Sequence, residues 1–412
     1  MTFQWFLSPT VRHATAMRKH VQKLLNHQRD ILPPQHIEKL NAAMANLRQA
    51  VEAKADNAEL EKQMQKLEEA ANNWLKPYPN PVWRENIEVL LVALAVAMGI
   101  RTFFLQPFKI PTGSMQPTLY GVTSENLKNN PGFKVPTGWE RVRQWFAGVS
   151  YVHVVAENDG ELEGVEPPVR LLIFNIKQTL WVGGKSYTLW FPPDWGAPPA
   201  GSLEVRAELQ RGQPFHKGDD IVKLKIAAGD HLFVDRVSFN FRTPDRGEIV
   251  VFETKGIEGL PQDQFYIKRL VGLGGENLCL QQDFEVKGVD GSDPEGVVPV
   301  GHLVVNGKPL SASTPHFESL YSYWGAPTRA RGQAPTNVLT YVKDHYFGHA
   351  MIRNLASSRS FQVQTNHFFV MGDNTMNSLD SRYWGDFPSS QAIGKSFFVY
   401  WPITERFGWG YH

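Results

Sequence analysis

The chain has 412 residues, with 42 Lys and Arg against 41 Asp and Glu, a net charge of +1. That length allows two or three domains, and so even a balance of charge gives no electrostatic case for nucleic acid. The single cysteine, Cys279, excludes an intrachain disulfide, so the fold must rest on its apolar core; the flanking Leu278 and Leu280 predict a buried structural thiol.

Residues 1–86 predict helices. Ser8-Pro9 reads as an N-cap followed by proline at the first helical position, and Pro33-Pro34 as the stop. Ile37, Leu40, Met44, Leu47 and Val51 then recur at spacings of three and four, and Leu60, Met64, Leu67 and Trp74 continue after a break near Asp56-Asn57. This pattern suits a coiled coil or a helical hairpin, and a plain amphipathic helix packed on its neighbour suits it as well as self-association does. No secretory signal peptide is visible, because charge begins at Arg12 before any long apolar run. Residues 89–100 carry no charge, but twelve residues span only about 18 Å as a helix, short of the ~30 Å bilayer core. A span of 87–108 is long enough, with Trp83 anchoring one end and Arg101 snorkelling at the other. Lys66, Lys76 and Arg84 precede it and Arg101 and Lys109 lie at its far end, so charge alone sets no orientation.

Directly after that span comes Lys109-Ile110-Pro111-Thr112-Gly113-Ser114-Met115-Gln116-Pro117-Thr118-Leu119. Two prolines stiffen the backbone around a glycine and a serine, which makes Ser114 a candidate nucleophile on a turned, rigid segment. A serine needs a base within hydrogen-bond reach, and a lysine serves when apolar surroundings lower its pKa. Gln264-Phe265-Tyr266-Ile267-Lys268-Arg269-Leu270-Val271-Gly272 offers Lys268 in a strand pattern. Alone, a Ser and a Lys so far apart in sequence carry no weight, since a strand lysine ordinarily points outward.

Two further stretches change that. Gly229-Asp230-His231-Leu232-Phe233-Val234-Asp235-Arg236 is followed by Arg246-Gly247-Glu248-Ile249-Val250-Val251-Phe252, and Met371-Gly372-Asp373-Asn374-Thr375-Met376-Asn377-Ser378-Leu379-Asp380-Ser381-Arg382-Tyr383-Trp384-Gly385 comes later. Taken in order, the four segments, about a quarter of the chain, resemble the motifs of type I signal peptidases, the membrane-bound Ser/Lys serine proteases that remove signal peptides from exported preproteins.

The resemblance implies a mainly β fold: a catalytic core of coiled antiparallel sheet (109–120, 228–275 and 367–412) with a second, variable β region (276–366), preceded by cytosolic helices (1–86) and one transmembrane helix (87–108). It implies a single pass through the bacterial cytoplasmic membrane with Ser114 on the external or periplasmic side. In such peptidases the chain runs from Leu119 almost directly into the Gly229-Asp230 strand. Here residues 121–227 intervene, with strand-like runs at Val152–Val155 and Arg170–Phe174 and turns at Pro192-Pro193-Asp194 and Pro198-Pro199. We read them as an inserted β domain holding no residue matched to the catalytic motifs. Val304-Val305-Asn306-Gly307-Lys308 predicts a hairpin with an Asn-Gly turn.

Residue by residue, the resemblance makes Ser114 the nucleophile and Lys268 its base. Thr112 would supply a hydroxyl to the oxyanion hole beside the Ser114 amide, and Ser378 would orient the lysine amine. Ile110, Met115, Leu119, Val251, Tyr266 and Ile267 would line shallow pockets accepting Ala-like side chains at the first and third positions before the cut; the plain alternative for each is core packing. Arg269, Asp373, Asp380 and Arg382 would support the site, with Arg269 paired to a carboxylate near Lys268. Thr375-Met376 replaces the more usual Arg-Asp pair, which puts a peripheral salt bridge in doubt and leaves the catalytic residues untouched. Partners would be signal peptides and the lipid bilayer, with self-association through residues 1–86 as an option.

No cofactor or metal is expected. His345 and His349 have a helical ligand spacing but no accompanying glutamate or further ligand. Asp290-Gly291-Ser292-Asp293 lacks the spacing of a calcium loop, and Gly272-Leu273-Gly274-Gly275 reads as the turn after the lysine strand. Two other readings bear weighing. A self-cleaving repressor of the Ser/Lys type should carry a DNA-binding module and no membrane span. A membrane-anchored β-rich binding protein that had lost catalysis should have lost some of Ser114, Lys268, Thr112 and Ser378, and all four are present.

Overall fold

The computed structural model describes residues 8–76, 81–130, 132–171, 174–197, 201–288, 296–322, 338–340, 348–357 and 359–409. His345, Asp290–Asp293 and Pro198-Pro199, singled out above, lie outside them. The chain forms two compact units, Met1–Ala95 and Val96–His412.

In the first unit, helices α1 (Pro9–Gln28), α2 (Pro34–Glu52) and α3 (Asn57–Trp74) pack around one core. Ser8 caps α1 by accepting the Val11 N–H, and Asp56 caps α3 by accepting the Glu59 N–H, each cap stabilising its helix by about 1 kcal/mol. α1 stops at Gln28, ahead of the Pro33-Pro34 pair, in a turn where the Ile31 and Leu32 N–H groups donate to the Gln28 carbonyl, and Pro34 serves as the first residue of α2. The three-and-four spacing thus yields a three-helix bundle. Val21 and Leu25 of α1, Leu40, Met44 and Leu47 of α2, and Met64 and Leu67 of α3 bury one another. Buried Gln28 donates to the Lys76 carbonyl (2.8 Å) and accepts from the Lys76 N–H (2.9 Å), tying the end of the third helix to the first.

Helix α4 (Pro81–Phe103) contains the 21-residue span Trp83–Phe103, whose most apolar 18-residue stretch has a mean hydropathy of 1.7, none of it buried. At 1.5 Å per residue this is about 32 Å, the thickness of a bilayer core. It begins earlier and ends sooner than the expected 87–108. Leu105–Lys109 leave the helix as strand β1, which pairs with residues 231–235, and Pro107 with no N–H to donate suits an edge strand.

The second unit is mainly β. After β1 come β2 (Thr123–Asn126), helix α5 (Gly138–Phe146), β3 (Val149–Val155), β4 (Gly160–Val165), β5 (Val169–Leu171), β6 (Phe174–Val182), β7 (Lys185–Trp190), β8 (Pro214–Phe215) and β9 (Asp220–Ala227). Then follow β10 (His231–Asp235), β11 (Ile249–Glu253), β12 (Phe265–Leu273), β13 (Asn277–Lys287), β14 (Val297–Val305), β15 (Lys308–Pro309), β16 (Val338–Thr340), β17 (His349–Ala350) and β18 (Ser360–Gln362). Last are β19 (His367–Met371), β20 (Phe387–Pro388), β21 (Ala392–Trp401) and β22 (Gly408–Trp409).

An eight-stranded sheet runs β1-β10-β21-β11-β12-β19-β20, with β22 on β21, all its pairs antiparallel. Its central strand β11 reads Ile-Val-Val-Phe, an unbroken apolar run, because both of its faces are buried. Ile249 and Val251 pack with Ile110, Met115, Leu119, Leu232 and Val399 on one face, and Val250 and Phe252 with Leu270, Val370 and Phe387 on the other. A second sheet, β15-β14-β13-β16 with β17 and β18 attached, holds the residues between the lysine strand and the Gly372 segment. Its β14–β15 hairpin turns at Asn306 and Gly307, both at positive φ, the Asn-Gly turn expected from the sequence. Cys279 is only half-buried. Leu278 and Leu280 on β13 are both buried, and strand alternation turns the residue between them to the other face.

The residues between Tyr120 and Ala228 form two small sheets, β2-β9-β3 and β5-β6-β4-β8 with β7 on β6, around their own core of Leu162, Leu180, Leu203, Ile221 and Leu224. The two ends of this segment are fastened together. The Tyr120 N–H donates to Asp230 Oδ2 (2.7 Å), and the Asp230 N–H to the Tyr120 carbonyl (2.8 Å). Fully buried Asp230 also accepts two hydrogen bonds from Arg406 (2.9 Å each), so an ion pair from the C-terminal segment locks the root.

Candidate active site

Ser114 sits in a single 3₁₀ turn, Gly113–Met115, that opens at Thr112. Three contacts from the Gly372 segment hold this turn. The Asn374 N–H donates to the Ser114 carbonyl and its side-chain amide to the Gly113 carbonyl, both at 3.1 Å. Gly372 itself lies so close that a Cβ there would stand 2.3 Å from the Ser114 carbonyl oxygen, so only glycine fits. On the other side, a Cβ on Gly229 would stand 1.9 Å from the Ile110 carbonyl oxygen. Asn374, Gly372 and Gly229 all lie within the segments quoted above, but sequence reasoning gave them no function. The signal for the two glycines is a backbone approach, which only the folded chain displays.

Lys268 lies on β12, and its Nζ donates to Ser114 Oγ at 2.7 Å and to the Ile267 carbonyl at 3.0 Å. The lysine is 4% exposed. Burial disfavours its charge, while the carboxylates of Asp380 and Asp373 favour it and Arg382 opposes it; burial prevails and brings the pKa down to about 8. At that value an appreciable fraction of Lys268 is neutral near physiological pH.

Two buried ion pairs frame this lysine. Arg269, the next residue on β12, grips Asp373 with Nε and Nη2 (2.7 and 2.6 Å), and its Nη1 donates to the Gly247 and His316 carbonyls (2.7 Å each). Arg382 grips Asp380 in the same two-pronged way (2.9 and 2.8 Å), with both side chains fully buried. Arg382 Nη1 also donates to the Ala350 and Thr375 carbonyls (3.1 and 2.8 Å), so residue 375 contributes its backbone rather than its side chain. Burial works against the Asp380 charge, but Arg382 and the Gly372 N–H offset it and hold the carboxyl below its usual range.

Other candidates fall differently. Ser378 Oγ is buried beside Asp380, whose charge it helps to hold, and a Cβ on Gly372 would strike it at 2.1 Å. The groups that Lys268 Nζ bonds are Ser114 and the Ile267 carbonyl, not Ser378. Thr112 is exposed, and its hydroxyl makes no capping bond to the turn it opens. Ile110, Met115, Leu119 and Val251 are buried in one core cluster with Ile267 packed against it. Tyr266 packs against the opposite core, with its ring 5.6 Å from Lys268 Nζ. For the four buried residues, core packing is therefore a role in its own right.

The sheet leaves an opening beside this site. β12 pairs with β19 only from Arg269 onward, so among the described residues no strand covers Phe265–Ile267 on the side away from β11. β1 ends at Lys109, one residue before Ile110, and is itself an edge strand. Exposed strand edges beside a nucleophile can take an extended polypeptide as an added strand.

Compared with known proteins, the chain is 27% identical over 181 residues to a probable signal peptidase I-2 of Synechocystis, covering 44% of this chain and 59% of that protein. It is 26% identical over 185 residues to a signal peptidase I of Leptolyngbya laminosa, covering 44% of this chain and 64% of that one. The chain thus spans about three fifths of the length of these curated relatives. A solved signal peptidase I from Enterococcus faecalis is 22% identical, covering 37% of this chain and 97% of that one, with a TM-score of 0.22. The family described as signal peptidase, peptidase S26, matches residues 83–126 and 222–401. The match thus takes in α4, the Ser114 turn, Lys268 and the Gly372 segment, breaks off at the end of β2, and resumes within β9. With more than half of its residues so matched, the chain belongs to the signal peptidase S26 family.

Proposed function

We propose that this protein is a membrane-bound serine endopeptidase that removes N-terminal signal peptides from exported preproteins through a Ser114/Lys268 dyad. The observation that carries the reading is the buried Lys268 amine 2.7 Å from Ser114 Oγ, in a chain of the signal peptidase family. Neutral Lys268 takes the hydroxyl proton as Ser114 Oγ attacks the scissile carbonyl. The Ser114 amide and the Thr112 hydroxyl face the developing oxyanion, where a preorganised donor stabilises the transition state by roughly 3–4 kcal/mol. The lysine then gives its proton to the leaving amine, an acyl-enzyme remains on Ser114, and a water activated by the same lysine hydrolyses it. The preprotein lies as an extended strand along the open edge at Phe265–Ile267, with Ile110, Met115, Leu119, Val251, Tyr266 and Ile267 shaping the small apolar pockets. Ser378 fits a positioning role reached only once substrate displaces groups around the amine, and Arg269, Asp373, Asp380 and Arg382 fix the frame.

In this reading α4 crosses the bacterial cytoplasmic membrane once, with residues 1–86 in the cytosol and the catalytic unit outside. Self-association through residues 1–86 would need surfaces other than the core, because α1–α3 bury their apolar faces against one another.

The base must be neutral to act, so protonation below its pKa of about 8 removes the active form. The profile of kcat/KM against pH for a signal-peptide substrate should therefore rise from acid and level off above about 8. A profile flat from pH 6 to 9, or one falling through that range, would remove Lys268 from the role of base.

A further inference from the structure

Helix α5 (Gly138–Phe146) is mounted the wrong way round for a soluble surface. At 100° per residue, Trp139, Val142, Trp145 and Phe146 share an arc of about 120°, while Glu140 and Gln144 fall on the far side. In an ordinary surface helix that apolar arc faces the protein. Here the polar side does: Gln144 accepts from the Tyr151 hydroxyl (2.7 Å) and Arg141 donates to the Tyr151 carbonyl (3.3 Å), both on β3. The apolar arc is left in the open, with Trp139 78%, Trp145 54%, Phe146 48% and Val142 43% exposed, and no residue of the helix is buried. Arg141 and Arg143 lie about 40° beyond either edge of the arc.

The patch continues past the helix. Phe146 accepts the Ile403 N–H through its carbonyl, the Trp145 ring meets Trp401, and Ile403 is itself exposed. On the same β21, Phe398 packs against exposed Phe407 and Trp409. β10 joins β21 to β1, and β1 begins two residues after Phe103, the last residue of the apolar span. By register Trp401 stands opposite His231 and His231 opposite Lys109, so the exposed apolar row reaches the sheet edge at the Lys109 end of the strand that leaves the span.

We propose that α5 lies in the interface of a lipid bilayer, Trp139, Val142, Trp145 and Phe146 inserted among the acyl chains and the two arginines at anionic headgroups, as a second foothold for the catalytic unit. Aromatic residues on one face flanked by arginines are the composition of an in-plane interfacial helix. α5 lies between residues 126 and 222, in the part of the chain that the family match skips, so the foothold belongs to this chain's insertion. The proposal does not depend on the chemistry at Ser114.

The test places an environment-sensitive fluorophore on the full chain in vesicles of phosphatidylcholine and phosphatidylglycerol. The chain carries Cys279→Ser and either Trp139→Cys on the exposed face or Glu163→Cys on β4. Emission from position 139 should shift to the blue and be quenched by nitroxide-bearing lipids, while position 163 shows neither effect. An unshifted emission at 139 would place the helix in water. A blue shift that lipid nitroxides fail to quench would mean that protein, including a second copy of the chain, covers the face. Either result overturns the proposal. As a check on a label that alters the helix, Val142→Cys should report the same insertion.

Discussion

Replacing Ser114 or Lys268 with alanine is expected to abolish cleavage while leaving the fold intact. Nucleophile and base act as one unit, so either loss should lower kcat by at least about 10³-fold, and the double variant should fall little further. The fold should survive because Ser114 lies on a turn held mainly through its backbone, by Asn374 and the close approach of Gly372. Lys268→Ala also removes a buried polar group whose burial disfavours its charge. Single-turnover rates on a signal-peptide substrate, with circular dichroism of each variant, decide the matter. Retention of more than a few per cent of kcat by Lys268→Ala would show that another group takes the proton.

The second large effect is on stability. Arg382→Met should destabilise the second unit by about 3–5 kcal/mol, because it strands the Asp380 carboxylate in a fully buried site. It also leaves the Ala350 and Thr375 carbonyls without the guanidinium that donates to them. Against a typical total of 5–15 kcal/mol, that is a large share. Breaking the exposed Arg48–Glu52 pair by Arg48→Ala should leave the melting temperature unchanged within error. A second readout separates the electrostatic role from mere support. Arg382 opposes the Lys268 charge and Asp380 favours it, so in Arg382→Met the acidic limb of the pH–rate profile should move to higher pH. A melting temperature equal to the wild type, or a limb moved to lower pH, would contradict this account of the pair.

The parts of the protein legible in the sequence were those whose chemistry or spacing is local. The helices α1–α3 could be read from apolar spacing, the cap at Ser8 and the break near Asp56-Asn57, since each signal lies within a few residues of its effect, whereas their closing into one bundle could not. The segments carrying Ser114 and Lys268, which the fold brings within 2.7 Å of each other, could be recognised because each is a short run of particular residue types. What could not be read depended on approach between distant segments. Asp230 and Arg406 lock the root of the insertion from 176 positions apart. Cys279 was misjudged because neighbours in a strand face opposite ways. Apolar residues continue through Phe108 and so suggest a span of 87–108, but pairing with β10 claims Leu105–Lys109 for the sheet. The outward face of α5 was also invisible, since periodicity shows that a helix has an apolar side but not which side the protein takes.

The most direct measurement of the central claim is to incubate the detergent-solubilised full chain with a purified preprotein and to sequence the N-terminus of the product. The account predicts one new N-terminus, immediately after a site with small side chains at the first and third preceding positions, formed by the wild type and absent with Ser114→Ala. An intact preprotein after prolonged incubation with the wild type, or an identical product from Ser114→Ala, would contradict it.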